Sequence, residues 1–212
     1  MSEKIITIGG VAFDWQLIVV IIIGTVIPML DWYGHNLTGT KAYDRIIWYF
    51  VIPMLTIVLL FREPAADFGF QIGNWRVGLI WTAVVCAIMA VILIFVARTP
   101  AMQAYYQARA PESVARLIYI TGVDLFGWEF LWRGFMLFAF ARAFGPGTAI
   151  WLQAVPFALL HLGKPETETL TTLFGGVGFG FIAWQSQSFV YPFLIHWFIA
   201  SFTMLIASGR IF

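Results

Sequence analysis

Five ionisable side chains stand inside runs that are otherwise apolar. They are Asp124, Glu129 and Arg133 in GVDLFGWEFLWRGF, His161 in VPFALLHLG and His196 in YPFLIHWFIAS. An acid or base at the centre of a membrane helix costs about 2.5–3.5 kcal/mol. A chain keeps such groups when they pair, line a wet cavity or do chemistry. Glu129 and Arg133 are four residues apart, one helical turn above each other. Taken alone they make a self-neutralised pair that locks one helix into a bundle. Each histidine, taken alone, is a satisfied core residue. Together, a carboxylate and two imidazoles support two chemistries. In one, Glu129 acts as general base on water, helped by one histidine, while the other steadies a developing oxyanion. In the other, Glu129, His161 and His196 form a two-histidine, one-carboxylate zinc set with an open position for water. There is no HExxH, so spacing does not favour zinc, and no cofactor is otherwise called for. The third histidine, His35 in DWYGHNLTGT, reads as solvated or interfacial.

These groups must be carried by membrane helices. The 212 residues are 61% hydrophobic and 11% charged. A soluble domain carries about 25% charged residues, so this chain lacks the polar surface that water requires. The net charge of +1 says nothing about partners, and the basic residues fall almost singly between apolar runs with no stripe that suggests nucleic acid. Cys86, the single cysteine, sits in WTAVVCAIMA as a small apolar residue, so no intramolecular disulfide or cysteine metal cluster forms. The opening MSEKIITIGG lacks the basic region and cleavage site of a removable signal peptide.

About seven stretches approach the ~20 residues a span needs: 15–33, 45–61, 75–97, 116–144, 148–162, 170–185 and 189–208. Pro28 is expected to kink the first, and Pro156 to bend or interrupt the short fifth. An interfacial helix and loop is expected in RTPAMQAYYQARAPESVAR. The fold expected is therefore all-α, a single multi-pass bundle over 1–212 with about seven membrane helices plus an interfacial one. GGVGFG (175–180) follows no strand and matches no phosphate loop, so it reads as a small-residue stripe for close helix packing. The spread of basic residues between loops places the C-terminus in the cytoplasm.

Residues 116–207 resemble the core of the CPBP family of intramembrane proteases, prokaryotic relatives of the type II CAAX prenyl proteases. The family pattern is EExxxR, then FxxxH, then HxxxN or HxxxD, on successive helices. Here WEFLWR supplies Glu129 and Arg133, followed by Gly134 and Phe135. FALLH supplies Phe157 and His161, and HWFIA supplies His196. The resemblance implies a multi-pass fold in a prokaryotic cytoplasmic membrane. It also implies hydrolysis of a membrane-anchored peptide or protein without a covalent intermediate. In that scheme Glu129 takes a proton from water held by His161, His196 donates to the carbonyl oxygen, and Arg133 fixes the glutamate.

Two positions depart from the pattern. Trp128 stands where the family has the first glutamate, which activates water, and Ala200 stands where it has Asn or Asp. Glu129 is the first substitute for the missing base. Asp124, one turn before Trp128 and on its face, is the second. Ser201 is a neighbouring hydroxyl for the lost polar group, and Glu166 and Glu168 could reach His161 from the loop HLGKPETE, although solvated loop charges are the simpler reading. Trp128 and Ala200 also motivate an alternative: an inactive relative serving as scaffold, immunity factor or subunit of a membrane complex. A proton-coupled carrier using Asp124, Glu129 and His196 is a third reading, but the chain lacks paired broken helices in two related halves.

Overall fold

The computed structural model describes residues 4–111 and 113–211. It opens with a feature outside the helical reading. IITI and VAFD pair as an antiparallel hairpin, β1 (Ile5–Ile8) and β2 (Val11–Asp14), across Gly9–Gly10. Both glycines have positive φ, as a tight hairpin turn requires. Asp14 then caps α1 (Trp15–Trp32) by accepting from the Leu17 amide at 3.1 Å.

Helices occupy all seven expected segments. After α1 come α2 (Lys41–Phe61) and α3 (Trp75–Val96), then the short α4 (Pro100–Gln107) in the expected interfacial stretch. α5 (Val114–Glu129) continues without a break through a π-helical turn, Phe130–Met136, into α6 (Leu137–Phe144). α7 (Pro146–Leu159), α8 (Glu166–Ser186) and α9 (Val190–Ala207) complete the bundle. Among the described residues four of them, α1, α2, α3 and α9, are long and apolar enough to cross a membrane by length and composition. The chain is an all-α, integral membrane protein.

Several boundaries differ from expectation for local reasons. α2 starts at Lys41, before Arg45, and widens to a π turn at Ile47–Val51, just before Pro53, whose ring nitrogen cannot donate to the ladder. Pro156 does not interrupt α7, which runs on to Leu159. α8 begins at Glu166, so Glu166 and Glu168 are helical rather than loop residues. Gly176 and Gly180 lie against α7: a Cβ on Gly176 would come within 3.1 Å of Ala154 Cβ, and one on Gly180 within 2.5 Å of Gln153 Nε2. Gly176 and Gly180 are thus packing positions, whereas Gly175 and Gly178 meet open space. The core around α5 and the π turn is aromatic, with Trp128, Phe130, Trp132, Phe135 and Phe157 all buried.

Candidate active site

α5 delivers Asp124 and Trp128 to one place and Glu129 to another. Consecutive helical residues point about 100° apart. Trp128 therefore faces a cavity while Glu129, the last residue before the π turn, faces α9. Glu129 and Arg133 are both 0% exposed. Arg133 Nη1 donates to Glu129 Oε1 at 3.1 Å, and His196 Nδ1 lies 2.6 Å from the same oxygen. The Arg133 guanidinium lies 3.8 Å over the Phe157 ring, so its remaining face is covered by an aromatic surface rather than water.

The two histidines are oriented by acceptors. His161, in the turn after α7, has Nδ1 2.8 Å from the Phe157 carbonyl oxygen. A carbonyl only accepts, so Nδ1 carries the hydrogen and Nε2 keeps its lone pair. In His196 the Glu129 carboxylate oxygen is the acceptor, which places a hydrogen on Nδ1. Both rings line a cavity of about 530 Å³, together with Arg45, Asp124, Trp128 and Ala200. Trp128 is 4% exposed, and its ring centroid is 6.0 Å from that of His161.

Arg45 went unread at the sequence level. It sits near the start of a span, where a basic residue is expected to reach for water. Instead it turns inward. Nε and Nη2 donate to Asp31 Oδ2 at 3.1 and 2.9 Å, and Nη1 donates to Asp124 Oδ2 at 2.8 Å. Its guanidinium carbon lies 4.5 Å from the Trp128 ring centroid. The signal available was indirect: Asp31 and Asp124 are acids in apolar runs, and each needs a cation.

The structure thus gathers Asp124, His161 and His196 at one cavity. Glu129 stands behind it and reaches it through His196, while Arg133 and Phe157 form the packed support. Glu168 accepts from the Tyr106 hydroxyl at 2.7 Å and from Lys164 Nζ at 2.7 Å, which commits its carboxylate away from His161. Burial and the adjacent Glu168 carboxylate push the Tyr106 hydroxyl far up, so it remains a donor. Ser201 is buried with its Oγ unpartnered among the described residues. His35 is exposed. Among the described residues no three of His, Cys, Asp and Glu are grouped to hold a metal ion.

One comparison with known proteins finds a match. Residues 110–202 match the family model described as type II CAAX prenyl endopeptidase Rce1-like. That segment is less than half of the chain, yet it holds all three blocks, WEFLWR, FALLH and HWFIA, and bears out the CPBP-family resemblance. The class of function this supports is that of a CAAX-type intramembrane protease. Neither the comparison with curated proteins nor that with solved structures gives a match.

Proposed function

We propose that the chain is an intramembrane endopeptidase of a prokaryotic cytoplasmic membrane, cutting a membrane-anchored peptide or protein. The observation that carries this reading is the pair of imidazoles on one cavity, each with Nδ1 committed inward and Nε2 left as acceptor. Because Glu129 is buried away from the cavity, the base role moves from Glu129 to His196. Water attacks the scissile carbonyl carbon while His196 Nε2 takes its proton, and His161 Nε2 accepts the water's second hydrogen bond. Glu129 is a positioning residue: it holds the His196 tautomer and stabilises the imidazolium that forms. Collapse of the tetrahedral intermediate breaks the C–N bond, and His196 returns the proton to the leaving amine.

A second reading has its own observation. Trp128 fills the place of the family's water-activating glutamate and packs beside His161. In that case the chain keeps the fold without the reaction and serves as a scaffold, immunity factor or complex subunit. One experiment separates the two. Wild type and Trp128→Glu, in liposomes, are given a mixture of fluorogenic palmitoylated peptides. Cleavage by wild type, abolished by His161→Ala and His196→Ala, supports the protease. Cleavage only by Trp128→Glu supports the inactive relative. Cleavage by neither, or by the histidine variants at the wild-type rate, rejects the protease assignment.

A further inference from the structure

The two histidines bring acceptors rather than donors to the cavity, whose donors lie on other lining residues. Both Nε2 atoms are acceptors in the neutral rings, and Ala200 brings no polar atom where the pattern has an amide or carboxyl. Hydrolysis puts negative charge on the carbonyl oxygen, which requires a donor there. The helix register relates Ala200 to one of the cations that line the cavity. α5 and α9 run antiparallel, with Glu129 against His196 and Thr121 against Met204. Midway between these contacts, Ala200 lies level with Leu125, next to Asp124. Asp124 is where the Arg45 guanidinium is anchored.

We infer that Arg45 is a further catalytic residue, supplying from α2 the oxyanion donor that Ala200 lacks. This rests on the protease reading above. Three of its five N–H groups are committed among the described hydrogen bonds, one each from Nε and Nη2 to Asp31 and one from Nη1 to Asp124. One hydrogen on Nη1 and one on Nη2 remain. Asp31 and Asp124 hold the fork from two sides, and the Trp128 face supports it at 4.5 Å, so the donor is fixed before substrate arrives. Such preorganisation is what gives an oxyanion donor its effect. It also gives position 128 a physical rationale. A tryptophan there offers the guanidinium a flat surface, whereas a glutamate would compete with the oxyanion for the same N–H groups. Arg45 lies outside the matched segment 110–202, so nothing in the family match assigns it.

The test uses purified full-length protein in lipid and two probes: a palmitoylated peptide, and its analogue with a tetrahedral, anionic phosphinate in place of one amide. Wild type is expected to bind the phosphinate more tightly. Arg45→Gln/Asp31→Asn, which removes a buried cation together with one partner acid, should reduce that preference, read as the ratio of phosphinate to amide affinity, about a hundredfold. Arg45→Lys keeps the charge and loses the fork, and should fall about tenfold. It decides the matter if the double variant does not fold. Preference undiminished in these variants overturns the Arg45 assignment and leaves the protease reading standing. No preference in wild type removes the protease reading and this inference with it.

Discussion

Replacing Glu129 with glutamine tests the centre of the site. The side chain keeps its shape and loses its charge, while Arg133 remains 0% exposed beside it at 3.1 Å. Breaking a buried ion pair from one side costs about 3–5 kcal/mol, because the remaining charge has no water to turn to. That is roughly two to four powers of ten in the unfolding equilibrium, a large share of a typical stability of about 5–15 kcal/mol. Arg133→Met removes the partner while keeping an unbranched chain over Phe157. The double variant Glu129→Gln/Arg133→Met buries no charge and is expected to cost far less than the sum of the singles. Equilibrium unfolding in mixed micelles would give a coupling of at least about 2 kcal/mol. Additivity within about 0.5 kcal/mol would refute the paired-charge account. In liposomes, Glu129→Gln should lower kcat about 10²–10⁴-fold with KM nearly unchanged, since it misorients His196 without touching the cavity wall. A change confined to KM would place Glu129 in substrate binding instead.

Two further predictions concern the frame around the site. Gly73 has φ +57°, and a Cβ there would come within 2.1 Å of the Ser186 carbonyl oxygen. Gly73→Ala should therefore destabilise by about 2 kcal/mol or more, whereas Gly175→Ala, which meets open space in a helix, should be neutral or stabilising in the same unfolding assay. The N-terminal hairpin is tied down by Glu63, which accepts from Lys4 at 2.7 Å and from Arg142. Burial works to raise the Glu63 carboxyl, but those two hydrogen-bonded cations outweigh it and hold it below the ordinary glutamate value. A depressed folded value means the tether is intact at neutral pH and is lost as pH falls below the ordinary glutamate range. An acid-active protease should therefore cut the hairpin sooner as pH is lowered, and Glu63→Gln should cut at the low-pH rate throughout. A pH-independent rate in wild type would show that the tether does not hold the hairpin.

The amino-acid sequence determined the class of this protein. Apolar runs, the breakers Pro100 and Gly145–Gly147, and the order of WEFLWR, FALLH and HWFIA predicted a helical membrane bundle, and they named every histidine and carboxylate that meets at the cavity. Spacing also paired Glu129 with Arg133, because i,i+4 contacts are local. The hairpin was legible too, in the β-branched run IITI followed by the turn signal Gly9–Gly10. What the tertiary structure alone decided is who faces whom. Glu129 and Trp128 are neighbours in the chain, but the packing of α5 between α2 and α9 sends one into the core and the other to the cavity. His196 is thereby joined to Glu129, and Arg45 to Asp124 and Asp31. These pairings join residues on different helices, so no helical period encodes them. They follow from which apolar faces pack together, and burial then turns each long-range encounter of polar groups into a fixed contact, since an unpaired charge there has no solvent to receive it.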